Sequence, residues 1–147
     1  MIAVGVDPGA HTGLVMLRLP VGGGFQGASF LARATVAPSA AKGLSAPERD
    51  RTLTERIHYW AMGSLPCVSL SASRGLMQVD PIGLYVLEEP VDASEQWRGA
   101  HKQQRGTAFR LGAYYGAAVA AAPAGAELVS YPVTRQGARA GWMGSAK

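Results

Sequence analysis

The apolar run at residues 83–88 constrains the fold more than any other part of the sequence. It reads Gly-Leu-Tyr-Val-Leu-Glu and ends on Glu88. A dense series of this kind is typical of a central strand that is covered on both faces. Such a strand needs layers of other elements around it.

The amino terminus predicts an antiparallel meander whose first strand also ends on an acid. Large and small apolar residues alternate over residues 2–7, which places Asp7 on the face opposite the large side chains. Pro8-Gly9 predicts a turn, and residues 13–19 form the second half of a hairpin. Residues 25–36 follow as a third strand.

Two helices are predicted, one on each side of the central strand in the chain. Ser45 and Glu48 fit a capping box, with a proline in the first turn. The apolar residues that follow share one helical face: Leu53, Ile57, Trp60 and Ala61. The second helix is expected at residues 108–122, capped by Thr107 and ended by Pro123.

The remaining segments complete the expected order of elements. Residues 66–81 are rich in serine and punctuated by proline, which predicts a loop. Residues 127–131 predict a short last strand, and residues 132–147 an irregular basic tail. The order is therefore a hairpin and third strand, then helix, strand, helix and strand.

Composition bounds the kind of protein. With 147 residues the chain has room for one compact domain, and 48% hydrophobic with 16% charged residues is a globular balance. The single cysteine, Cys67, cannot form an internal disulfide, which favours a reducing compartment, and cytoplasm is the expected location. No stretch is long and apolar enough to predict a membrane span. A net charge of +4 favours a polyanionic partner such as nucleic acid.

Asp7 and Glu88 are the residues most suited to chemistry. Each closes a predicted strand. The order of elements resembles that of a ribonuclease H-like mixed sheet, and this resemblance implies that the two strands are neighbours with their carboxyl ends together. Two converging carboxylates repel each other unless a hard divalent cation neutralises them, and oxygen ligands suit Mg²⁺ or Mn²⁺. The three histidines have no spacing that suits zinc.

Four motifs in order resemble the RuvC-like Holliday junction resolvases of the ribonuclease H-like superfamily. Residues 4–13, Val-Gly-Val-Asp-Pro-Gly-Ala-His-Thr-Gly, resemble the family's first motif, and residues 86–90, Val-Leu-Glu-Glu-Pro, resemble its second. Residues 109–112, Phe-Arg-Leu-Gly, are similar to a helical step of the family. The segment from Tyr131 onward, with Gly-Ser-Ala-Lys at residues 144–147, resembles its basic region.

The resemblance implies a single α/β domain over residues 1–147, with a ribonuclease H-like mixed β-sheet flanked by helices. It also implies a homodimer that cuts four-way DNA junctions, with Asp7 and Glu88 holding Mg²⁺ or Mn²⁺. Lys147 would be a further catalytic residue. The residues expected to contact nucleic acid are Trp97, Arg98, Lys102, Arg105, Arg110, Arg135 and Arg139.

The sequence departs from the family pattern at its carboxyl end. The family continues into a further helix that brings additional acidic ligands, and we expect this helix to be missing from residues 1–147. The alternative is that Glu89, Asp92 or another subunit supplies the missing ligand. Two other functions remain open: a YqgF-like nuclease that matures ribosomal RNA, and a protein that binds junctions without cutting them. Glu88 favours the resolvase over the YqgF-like nuclease, because that branch usually lacks a glutamate after the central strand.

Overall fold

The computed structural model describes residues 1–22, 26–40, 42–64, 67–69, 77–89 and 104–132. In chain order the elements are β1 (Ile2–Asp7), β2 (Thr12–Arg18), β3 (Ser29–Val36), α1 (Ala46–Gly63), β4 (Cys67–Ser69), β5 (Met77–Val79), β6 (Ile82–Glu89), α2 (Gln104–Ala120) and β7 (Glu127–Pro132).

Five of the strands form one mixed sheet in the order β3-β2-β1-β6-β7. β1 pairs antiparallel with β2, and β2 pairs antiparallel with β3. On its other side β1 pairs parallel with β6, which in turn pairs parallel with β7. The predicted order of hairpin, helix, strand, helix and strand is therefore confirmed.

The core lies between one face of this sheet and the two helices. The core face carries Val4 and Tyr85, both fully buried, and the helices contribute Leu53 from α1 and Ala118 from α2. A hydrogen bond from the Thr54 hydroxyl to the carbonyl of Ala117 (3.2 Å) joins the two helices. Because alternate residues of a strand point to opposite faces, the second face is the one that carries Asp7.

α1 begins where the capping box predicted. The backbone N–H and the hydroxyl of Ser45 both donate to the Glu48 carboxylate, at 2.7 and 2.6 Å. These bonds lower the pKa of the Glu48 carboxyl. On the predicted apolar face Leu53, Ile57 and Ala61 are fully buried, and Trp60 packs partly buried against them.

Three predictions about the elements were wrong. Residues 66–81 are not a plain loop, since β4 and β5 form a separate antiparallel pair within them. The second helix begins at Gln104, so Thr107 lies inside it rather than capping it. The third strand begins at Ser29 rather than at residue 25.

β6 was expected to be buried on both faces, but among the described residues only its core face is fully buried. Tyr85 and Leu87 on the core face are fully buried, whereas Leu84 and Val86 on the other face are half-buried. This second face, at the carboxyl ends of β1 and β6, is the setting of the candidate site.

Among the described residues, no helix has the length and apolar character needed to cross a membrane.

Candidate active site

Asp7 is the last residue of β1 and is held by the turn that follows it. The loop to β2 is closed by Thr12, whose buried hydroxyl donates to the carbonyl of Gly9 (3.0 Å) and accepts from the Gly9 N–H (3.4 Å). The backbone of Asp7 pairs with Gly13 on β2. Thr12 and Gly13 thus fix the chain on both sides of the loop that follows Asp7.

Glu88 lies beside Asp7 on the neighbouring parallel strand. The pairing of Val6 with Leu87 brings the next residue of each strand, Asp7 and Glu88, to the same level of the sheet. Both follow residues that point into the core, so both point to the second face. The next residue, Glu89, points to the opposite side of β6 from Glu88 because side chains alternate along a strand.

The electrostatics of the two acids show that they interact. Burial raises the pKa of the Asp7 carboxyl. Burial also raises the pKa of Glu88, and the negative charge of Asp7 raises it further. Two carboxylates that oppose each other's ionisation are suited to binding a cation, since its charge removes both the repulsion and part of the cost of burial.

Gly13 leaves open space on one side of Asp7. A Cβ atom at Gly13 would lie 3.6 Å from the Asp7 Cβ and 3.9 Å from Oδ2. Those are ordinary van der Waals contacts, so the first atom of a side chain at position 13 would lie against the Asp7 side chain. Neither Gly13 nor Thr12 was singled out from the sequence, although both belong to the first motif, because their roles depend on how the loop closes.

Tyr131 lies on the other side of the pair. It is the β7 residue opposite Glu88 in the parallel register, so it shares the second face, and 42% of it is exposed. The carboxyl edge of the sheet therefore presents two carboxylates with a glycine on one side and a phenol on the other. These oxygen groups could hold a hard divalent cation and contact a phosphate.

Arg110 is the one predicted basic residue whose side chain the structure describes, and it does not lie near this pair. Arg110 is exposed on α2, a helix that packs on the core face, whereas the acids point to the second face. The backbone of Arg105 lies in α2, but its side chain is not in the part of the chain that the structure describes. The other predicted residues lie outside the described residues altogether: Trp97, Arg98, Lys102, Arg135, Arg139 and Lys147.

The donor set fits a hard divalent cation and does not fit zinc. Asp7 and Glu88 offer only carboxylate oxygens, which suit Mg²⁺ or Mn²⁺. Within the described ranges there is no cluster of three or more histidine, cysteine, aspartate or glutamate side chains. Asp80 is not part of this donor set. It forms a salt bridge with Arg18 (3.5 Å) and lies just before β6 begins, at the opposite end of that strand from Glu88.

Comparison with known proteins gives a consistent result for the fold. The sequence matches no protein-family model, and no curated protein sequence matches it significantly. Among solved structures, the chain resembles Thermus thermophilus RuvC in complex with a Holliday junction substrate, with a TM-score of 0.60 and 23% identity. That match covers 100% of this chain and 73% of the RuvC chain.

A second Thermus thermophilus RuvC structure gives a TM-score of 0.57 at 21% identity, and the match covers 100% of this chain and 71% of that one. Both similarities extend over the whole chain, including the mixed sheet that carries Asp7 and Glu88. The likeness predicted from four motifs in the sequence is thus confirmed at the level of structure. The chain has the α/β, ribonuclease H-like fold of RuvC.

Proposed function

We propose that this chain is a divalent-metal-dependent endonuclease that cuts four-way DNA junctions. The observation that carries the proposal is the pair formed by Asp7 and Glu88, two carboxylates at the same level of adjacent parallel strands, at the carboxyl ends of β1 and β6. The negative charge of Asp7 raises the pKa of Glu88, which supports the proximity of the two. The likeness to a RuvC structure that holds a Holliday junction substrate supports junction DNA as the partner. The chain's net charge of +4 also favours a polyanion.

Asp7 and Glu88 would hold Mg²⁺ or Mn²⁺ together. A divalent cation bound there supplies Lewis-acid activation of water and stabilisation of the charge that develops on the phosphate. The part played by the chain is to fix the two carboxylates. Strand pairing sets their spacing, and the bonds between Thr12 and Gly9 hold the loop after Asp7.

The remaining parts of the proposal rest on the sequence. Basic side chains that position the DNA backbone would be Arg98, Lys102, Arg105, Arg135 and Arg139, with Trp97 stacking on a base and Lys147 near the cleaved bond. Arg110 is left out of this set because it lies on the helix layer across the sheet from the acids. A four-way junction has two-fold symmetry, so a homodimer would place two sites for paired cuts. We place this activity in the cytoplasm, in DNA recombination and repair.

The test is a nicking assay on a synthetic four-way junction with Mg²⁺, run beside a linear duplex and an RNA–DNA hybrid. Asp7→Asn and Glu88→Gln should each lower cleavage by about 100-fold or more, because several kcal/mol of transition-state stabilisation are lost. Junction binding measured without divalent ions should persist in both variants. Glu89→Gln is the matched control, since Glu89 points away from the pair, and it should cut at the wild-type rate.

Each possible result has a distinct meaning. Wild-type cleavage by Asp7→Asn or Glu88→Gln would contradict the assignment of the site. Preference for the RNA–DNA hybrid or another RNA substrate would favour a YqgF-like nuclease. Tight binding of the junction without any cleavage by the wild-type chain would favour the non-cleaving junction-binding protein.

A further inference from the structure

We propose that the outer side of β3 is a second DNA-binding surface, which guides the nucleic-acid backbone to the acidic pair. Three side chains define this surface, which we call the β3 strip: Phe30, Arg33 and Thr35. The inference rests on the proposed function and adds to it a surface of the described sheet that the family resemblance did not single out.

The register of the sheet places the β3 strip on the same face as Asp7. Thr35 pairs with Gly13, and Gly13 pairs with Asp7. Arg33 and Phe30 pair with β2 residues two and four positions beyond Gly13. Paired residues share a face and alternate residues of a strand do too, so the strip and the acidic pair face the same way.

The side chains of the β3 strip are accessible. β3 is an edge strand of the five-stranded sheet. Phe30 is 61% exposed, and Arg33 and Thr35 are exposed as well.

The chemistry of the strip fits a nucleic acid. Arg33 forms no salt bridge with any acid among the described residues, so its guanidinium is open to a phosphate. A threonine hydroxyl donates readily to phosphate oxygens. An exposed aromatic ring beside a cation is the combination on which nucleic-acid bases outside a duplex stack.

The dimensions allow one DNA strand to contact both the strip and the acids. Two strand spacings separate β3 from β1, so Thr35 lies about 10 Å from Asp7 across the sheet. The strip itself runs for about 17 Å from Phe30 to Thr35. DNA carries a phosphate every ~3.4 Å along each strand, so several phosphates pass over this length. Gly13, which lies between Thr35 and Asp7, presents no side chain in the path.

Pairing of β3 with a second copy of the chain is the competing use of this edge. A cation in the middle of an edge strand opposes such pairing, because two copies would bring their arginines near each other. The strip is also continuous with the acidic pair through the row formed by Thr35, Gly13 and Asp7. We therefore assign the strip to DNA.

The experiment measures the affinity of the full chain for a fluorescent four-way junction without divalent ions, over a range of salt concentrations. Arg33→Ala should weaken binding and lower the slope of log affinity against log salt by about 0.9, the loss of one phosphate contact. Phe30→Ala should weaken binding roughly 5-fold or more, and Phe30→Trp should restore it, because an indole also stacks.

Arg51→Ala is the matched control, since Arg51 is an exposed arginine on α1, the helix layer across the sheet from the strip. It should leave affinity and salt slope unchanged. The inference would be overturned if Arg33→Ala had the same slope of log affinity against log salt as wild type. It would also be overturned if Phe30→Ala changed the sedimentation coefficient but not the DNA affinity, because the strip would then serve pairing between copies of the chain. If the wild-type chain bound no junction, the proposed function itself would be contradicted.

Discussion

The hydroxyl of Thr12 is the residue-scale detail on which the position of Asp7 depends. It bonds both the carbonyl and the N–H of Gly9 while the side chain is fully buried. Thr12→Val keeps the shape but leaves these groups without their partner, so we expect a loss of about 1–2 kcal/mol in the free energy of unfolding. Urea denaturation measures this loss directly.

Thr12→Ser provides the control for this prediction, because it keeps the hydroxyl and removes only a methyl group. It should unfold at a urea concentration closer to wild type than Thr12→Val does. Equal stability of Thr12→Val and wild type would mean that solvent satisfies the Gly9 groups and that the loop after Asp7 is held by other contacts.

Individual residues could be predicted where a strand pattern determines them and not where a loop does. The alternation in residues 2–7 places Asp7 opposite the apolar side chains, and the structure has it there. Glu88 could be chosen over Glu89 from its motif, and the pleat of β6 gives the physical reason. The position of Gly13 beside Asp7 depends on the register between β1 and β2, which the hairpin pattern in the sequence did not specify.

At the scale of elements, α2 is fixed to the sheet by a tyrosine. The buried Tyr85 hydroxyl on β6 donates to the Ala118 carbonyl (3.0 Å), and burial raises the pKa of this phenol. Tyr85→Phe leaves that carbonyl with one partner fewer in the core, and we expect it to cost about 1–2 kcal/mol of unfolding free energy. Thermal and urea unfolding both report this loss.

Tyr115→Phe is the comparison variant for Tyr85→Phe. The Tyr115 hydroxyl meets the Ser130 hydroxyl at 2.7 Å in a partly buried position, so water can replace it and the cost should be smaller. If Tyr115→Phe were the more destabilising of the two, α2 would be held mainly through β7 rather than through β6.

Elements with strong local signals were predicted well, and those fixed by tertiary contacts were not. The capping box of α1 is entirely local, and the helix begins where it predicted. β4 and β5 have three residues each and exist by pairing with each other, so the serine-rich sequence around them predicted only a loop. The extra turn at the start of α2, residues 104–107, had no cap or apolar stripe to indicate it.

At the scale of the whole molecule, the two faces of the sheet have different tasks. The core face is closed by α1 and α2 around Val4, Tyr85 and Leu87, which provides stability. The other face carries Asp7 and Glu88 at the ends of adjacent parallel strands, which is where open α/β sheets place their ligands. When both acids are ionised, their repulsion lowers the stability of the folded chain, and a bound cation would remove this repulsion.

This repulsion predicts how stability responds to pH and to metal. The pKa values of Asp7 and Glu88 are raised in the folded state, so the folded chain holds protons that the unfolded chain has already lost. Stability without metal should therefore fall as pH rises through these raised pKa values. A cation binds only the deprotonated pair, so Mg²⁺ should raise the melting temperature more at about pH 8 than at about pH 5.

The size of this metal effect follows from mass action. At an ion concentration about ten times the dissociation constant the gain is about 1.4 kcal/mol, or about 4 °C in melting temperature. Glu88→Gln should lose most of the gain, whereas Glu89→Gln, on the other side of β6, should keep it. Differential scanning fluorimetry with and without Mg²⁺ measures both. An equal rise in Glu88→Gln and wild type would place the bound ion away from the pair of Asp7 and Glu88.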